Sequence, residues 1–173
     1  MIQPAAIQMD NGGYAYYYPG ASEELVKECL IYLAAKQNQG FFDQGEKPKS
    51  GVTFSLYQLR KELKDRGHER SYKQLILSLT ILRRSLIEIS VIDDEKRVIT
   101  TAAPYLTLIK KVSRSDIADD PESKWSIEFH TLITSHISTL GYRQFDYLVF
   151  MSIPTQLARW IYKLLVDKYT FAG

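Results

Sequence analysis

The sequence predicts an α+β fold of the winged-helix kind, mainly helical with a small antiparallel sheet, and three observations predict it. A short amphipathic segment from Leu56 to Lys64 follows a capping residue, Ser55. A basic turn, Asp65 to Arg70, separates it from a longer helical pattern, Ser71 to Glu88. Two β-prone runs then flank Asp93-Asp94-Glu95-Lys96. Helix, tight turn, helix and β-hairpin in that order are the parts of a winged helix, whose second helix is shaped to lie in a DNA groove.

The remaining elements follow in order. Residues 1–13 are polar, end in Asn11-Gly12-Gly13 and read as a flexible tail. Tyr14 to Tyr18 reads as a short strand or an extended aromatic arm, ended by Pro19-Gly20. Ser22 is the expected N-cap of a first helix, with Glu23 and Glu24 at its positive end. Leu25, Val26, Cys29, Leu30, Tyr32 and Leu33 carry its helical period. Gln39 to Gly51 reads as a loop pinned by Phe41 and Phe42, and Val52 to Phe54 is β-prone.

In the central helix Leu75, Leu79, Leu82 and Leu86 form a stripe widened by Tyr72 and Ile76; Leu77 and Ile81 lie off it. Ile87 to Ile92, Val98 to Thr101 and Tyr105 to Val112 favour strands, with Pro104 marking a break or an edge. Ser113 to Lys124 is polar and reads as a loop or wing tip. Trp125, Ile127 and Phe129 alternate with polar residues as in a half-buried strand, and Leu132 to Leu140 suggests a short helix ended by Gly141. Pro154 suits a first helical turn, and Leu157, Ala158, Ile161, Leu164 and Leu165 give the last helix an apolar face. The domains expected are a first winged helix over 14–131 and a C-terminal strand and helix segment over 132–173.

Composition bounds the function. The chain has 173 residues, enough for a sizeable core, and a single cysteine, Cys29, which cannot form an internal disulfide and reads as a small buried apolar residue. No apolar run approaches the ~20 residues that cross a bilayer, and the first residues lack a secretory signal, so a cytoplasmic protein without membrane contact is expected. Nucleotide-binding glycine motifs, HExxH and paired CxxC are all missing, and the three histidines have no metal spacing with cysteine, so no enzyme, cofactor or metal is expected.

Charge distribution is more informative than the net charge of +2. From Ser55 to Arg84 eight bases stand against three acids, a local surplus of five, which is the footprint expected where phosphates are neutralised. The N-terminal turn of the second helix enters a groove in this fold, and Arg70, Ser71, Lys73 and Gln74 occupy it with Tyr72, which is expected in the core. Gln pairs with an adenine edge; Lys and Arg reach guanine or phosphate. Arg60, Lys64 and Arg66 surround that turn, where His68 is a further phosphate donor or a solvent-exposed side chain. Lys96 and Arg97 at the hairpin, and Lys110, Lys111 and Arg114 beyond it, are placed for backbone phosphates.

The C-terminal part carries a resemblance. Tyr142-Arg-Gln-Phe-Asp-Tyr147, Met151-Ser-Ile153 and Leu157-Ala-Arg-Trp-Ile-Tyr162-Lys-Leu-Leu165 resemble the bacterial plasmid replication initiators, in which a tyrosine-rich strand precedes a helix written Leu-Ala-Arg-x-Leu-Tyr-x-x-Leu. Ile161 stands at the second leucine here. The helix from Ser71 and the pair Arg83-Arg84 resemble the first module of such proteins. The resemblance implies two tandem winged helices, the first serving dimerisation and backbone contact and the second reading origin repeats on double-stranded DNA. It also implies a homodimer and the host helicase machinery as partners. The second module's reading helix has no counterpart here, so the chain reads as a fragment or a shortened relative, with Arg159 in a structural or phosphate-contacting role. A protein–protein dimerisation module and a transcriptional repressor of the same fold stand as alternatives.

Overall fold

Local chemistry sets each helix start. The computed structural model of the chain describes residues 1–37, 41–43, 49–92, 98–112, 123–130 and 146–169. Helix α1 (Ala21–Lys36) begins one residue before the expected cap. Glu23 reaches back to accept from the Gly20 amide at 2.9 Å, so Gly20 is the N-cap and Ser22 lies inside the first turn. Helix α2 (Leu56–Asp65) starts where expected, with Ser55 Oγ accepting from the Gln58 amide at 3.0 Å. Helix α3 (Tyr72–Arg84) is held by a reciprocal box: Gln74 N–H donates to Ser71 Oγ at 3.3 Å and Ser71 N–H to Gln74 Oε1 at 2.8 Å. It ends at Arg84 rather than Glu88, because the β-branched run that follows is strand; Leu86 therefore lies in a strand and not on the helical stripe.

The strands are β1 (Ile2–Gln3), β2 (Ala5–Gln8), β3 (Tyr14–Tyr17), β4 (Phe41–Asp43), β5 (Lys49–Ser55), β6 (Leu86–Ile92), β7 (Val98–Pro104), β8 (Leu106–Val112) and β9 (Lys124–Phe129). They form three antiparallel sheets, ordered β1-β6-β7, β2-β3 and β4-β5-β9-β8. The α+β class holds, with more β-structure than one small sheet. The expected loop over 39–51 contributes β4 and the start of β5, which pair with each other.

The expected tail is structured. Met1 N–H donates to Glu88 O at 2.9 Å and Gln3 stands opposite Leu86, adding a third strand to the β6–β7 hairpin. Asn11, Gly12 and Gly13 close a tight turn between β2 and β3: Gly12 has φ +80° and donates to Met9 O at 2.9 Å. Pro104 ends β7, an edge strand, as its missing N–H requires.

The core lies between the three long N-terminal helices and the inner face of β5 and β9. Leu25, Leu30, Leu59, Leu63, Leu75, Leu79, Leu82, Phe54, Trp125 and Ile127 are all buried there, and α1 packs on α2, α3 and β5. Cys29 is buried among them, and burial pushes its thiol up to about 12, so it serves as packing.

Two further helices follow, α4 (Tyr147–Ser152) and α5 (Gln156–Tyr169). The strand that the resemblance implies over 142–147 lies mostly outside the described residues; residues 147–152 are helical, capped by Asp146, whose Oδ1 accepts from the Leu148 amide at 2.8 Å. Pro154 precedes the α5 cap, since Thr155 O accepts from the Arg159 amide and Thr155 Oγ1 from the Ala158 amide. The expected apolar face of α5 points outward: Leu157, Ile161, Leu164 and Leu165 are exposed, with Trp160. Its polar side docks instead. Arg159, 1% exposed, donates through Nε to Glu24 Oε2 at 3.0 Å and through Nη1 to Ile153 O at 3.0 Å. Lys163 Nζ lies 2.7 Å from Glu28 Oε1 and 3.5 Å from Glu24 Oε1. The α1 carboxylates, buried or half-buried, select the cationic side of α5 over its apolar one. The expected hairpin turn at 93–96, the wing tip over 113–122 and the short helix over 132–140 lie outside the described residues.

Candidate nucleic-acid interface

The turn between α2 and α3 is built around Gly67. The His68 amide donates to Leu63 O at 2.8 Å and the Gly67 amide to Lys64 O at 2.9 Å, a two-bond helix terminus that needs a left-handed residue at φ +81°. This reverses the chain and sets the α3 start beside the α2 end. His68 turns inward, its Nε2 lying 2.7 Å from Met151 O, so it ties the turn to α4 and is neither a phosphate donor nor a free surface side chain.

The expected cations divide into two groups. Arg60 is committed to structure: its Nε donates to Arg70 O at 2.9 Å, its Nη2 meets Glu69 Oε1 at 3.0 Å, and its guanidinium lies 5.2 Å from the centre of the Tyr72 ring. Lys64 shares Glu69, at 3.2 Å. The Lys64 hydrogen bond and charge, with Arg60 behind them, hold the Glu69 carboxyl below the usual carboxylate range. Arg66 pairs with Glu62 at 3.1 Å one turn back. Arg70 donates to Glu69 O at 2.8 Å and to Ser22 Oγ at 3.4 Å. These four are staples of the turn first.

Lys73 is different. It is exposed on the first outward turn of α3 and forms no ion pair with a described residue, and Lys61 on α2 shares both properties. Gln74 is also exposed, but its amide oxygen accepts from Ser71 N–H, so the oxygen that a bidentate adenine contact uses is held by the cap. Ser71 is likewise spent on the cap. Lys110 and Lys111 fall in β8, an edge strand, opposite Ser126 and Trp125. Lys96, Arg97 and Arg114 lie outside the described residues.

Two features escaped the sequence reading. Glu69 neutralises two of the expected cations across the turn, a contact no local period announces. Arg84 donates to Ala6 O at 3.1 Å, and β2 packs against α3, so the basic end of α3, with exposed Arg83, adjoins the β2–β3 ribbon. Arg159 is buried within the protein and makes no outward contact.

No protein-family model matches the sequence, and no curated protein is significantly similar to it. The fold does match solved structures. A crystal structure of RctB domains 2-3 (residues 155–483) aligns over 99% of this chain with a TM-score of 0.56 and 9% identity. One of selenomethionine-derivatised RctB domains 2 and 3 aligns over 96% with a TM-score of 0.60 and 8% identity. The chain spans 64% of the length of each. At this identity the likeness is one of fold: the chain is built like part of the RctB domain 2-3 unit.

Proposed function

We propose that the chain is a non-enzymatic, winged-helix DNA-binding module of a replication initiator. The observation that carries this is Lys73, an exposed cation with no ion pair among the described residues, on the outward N-terminal turn of the second helix in a helix–turn–helix–hairpin order. Lys61 is a second exposed cation, on α2, that forms no ion pair with a described residue. The shared fold with domains of RctB, a replication initiator, supports the reading. The finer version is a plasmid initiator acting as a homodimer on double-stranded origin repeats, with the host helicase machinery as partner, and it rests on the resemblance of the C-terminal motifs.

The test is duplex binding across a salt series, read by fluorescence anisotropy. Phosphate contact makes log affinity fall linearly with log salt, and Lys73→Ala reduces that slope by about 1 while weakening all duplexes alike. Affinity that is flat with salt, or unchanged in a Lys61→Ala/Lys73→Ala double variant, overturns the reading. A second reading, a protein–protein module, is favoured by the outward apolar residues of α5, Leu157, Trp160, Ile161, Leu164 and Leu165. It expects a concentration-dependent dimer in sedimentation and no duplex binding at low salt.

A further inference from the structure

The β2–β3 ribbon presents an aromatic ladder that the duplex-binding surface does not use. Registration of Ala5 with Tyr17, Ala6 with Tyr16 and Gln8 with Tyr14 fixes the two faces. Ala5 is buried and Ile7, Ala15 and Tyr17 are half-buried on the inner face. Tyr14, Tyr16 and Tyr18 point the other way and are 61%, 69% and 64% exposed. The preference of tyrosine for strands accounts for its presence in β3, but not for three rings left in water on the outer side. The outward ribbon residues Ala6, Gln8, Tyr14 and Tyr16 include no acid; Asp10 sits in the turn beyond Gln8. Arg84 meets the β2 edge of the ribbon at Ala6, the residue opposite Tyr16, and Arg83, next to it in the chain, is exposed.

We propose that this ribbon is a stacking platform for single-stranded DNA. Alternate residues on a strand are about 6.6–6.8 Å apart, twice the ~3.4 Å step along one strand of a duplex. Rings at that spacing fit bases drawn apart in an extended single strand; paired and stacked bases offer no free face to them. Stacking is indifferent to base identity, and Arg83 and Arg84 supply the positive charge that tracks a backbone. The inference rests on the DNA-binding reading only in taking the ligand to be DNA, and it assigns the open strand to a surface separate from Lys73.

The test compares a labelled oligothymidylate with a labelled duplex, each titrated with the whole chain, as wild type, Tyr16→Ala, Tyr16→Phe and Lys73→Ala. Tyr16 is exposed, so none of these changes disturbs the core, and circular dichroism checks it. Tyr16→Ala weakens oligothymidylate binding by roughly 5- to 100-fold, the range of a lost base–aromatic stack, while Tyr16→Phe stays within about twofold of wild type because the ring carries the contact. Duplex affinity follows Lys73 and ignores Tyr16. The proposal is overturned if wild type does not bind oligothymidylate, if Tyr16→Ala binds it as wild type does, or if Tyr16→Phe is as weak as Tyr16→Ala. It is also overturned if Tyr16→Ala alters only self-association in sedimentation, which makes the ladder a protein contact. Loss of duplex binding in Lys73→Ala beside an unmoved oligothymidylate affinity in Tyr16→Ala sinks the platform and leaves the module. Tyr16-dependent oligothymidylate binding without any duplex binding does the reverse.

Discussion

Gly67 shows how one residue places the candidate interface. At φ +81° it occupies the left-handed region, and a Cβ built on it would meet nothing within 4 Å, so substitution is opposed by backbone conformation alone. Gly67→Ala is expected to cost about 1–2 kcal/mol of unfolding free energy, measured by urea denaturation, and to leave the α3 face chemically unchanged. A neutral result would mean that the turn relaxes to another conformation. Glu69 is the other decisive residue here: by holding Arg60 and Lys64 it turns two predicted phosphate ligands into braces of the turn. The pairs are partly or fully exposed, so their worth is geometric more than energetic.

At the scale of elements, α3 tests whether the buried stripe or the outward face anchors the module. Leu79 is 1% exposed, so Leu79→Ala should lose about 2–5 kcal/mol of stability. Leu77, exposed on the same helix, should change stability by less than about 0.5 kcal/mol when made alanine. Equal losses in denaturant titrations would mean that the stripe is misassigned. This stripe was legible in the sequence because a 3.6-residue period survives in the spacing of Leu75, Leu79 and Leu82; the caps at Ser55 and Ser71 were legible because their side-chain oxygens bond locally. The N-terminal strands were not. β1 is two residues long and is defined by its pairing with Ile87 and Leu86, eighty-five and eighty-three positions from their partners, so no local period marks it. Of the candidate site, the exposed cation at the start of α3, Lys73, was legible from its place off the leucine stripe. The site was illegible wherever an acid off the helical period, such as Glu69, or far along the chain, such as Glu24, decides which cation is paired.

In the whole molecule, helix α1 joins the two ends of the chain's architecture: its apolar side packs on α2 and α3, while Glu24 and Glu28 hold α5 through Arg159 and Lys163. This explains why an apolar pattern in α5 misdirects a sequence reading. Leucines set the period, yet the contacts that α5 makes with the α1 carboxylates are ion pairs from its cationic side. Burial opposes the charge on Glu28, but Lys27 at 3.2 Å and Lys163 at 2.7 Å outweigh it and hold its carboxyl below the usual carboxylate range. Burial opposes the charge on Lys27 too, and Glu28 more than offsets it, so that ammonium titrates above the usual lysine value. The signs follow from linkage. A depressed carboxylate contributes in full above its unfolded pKa and loses that contribution as pH falls through the folded value; a raised ammonium contributes in full below its unfolded pKa and loses it as pH rises. The cluster therefore stabilises most at intermediate pH and is lost first on the acid side, below about pH 4. Glu28→Gln should lower stability at neutral pH, because Lys27 and Lys163 lose their partner, and should flatten the acid limb of a stability–pH curve measured by urea denaturation. An acid limb as steep as that of the wild type would locate the titrating carboxylate elsewhere and leave Arg159–Glu24 as the bond that keeps α5 on α1.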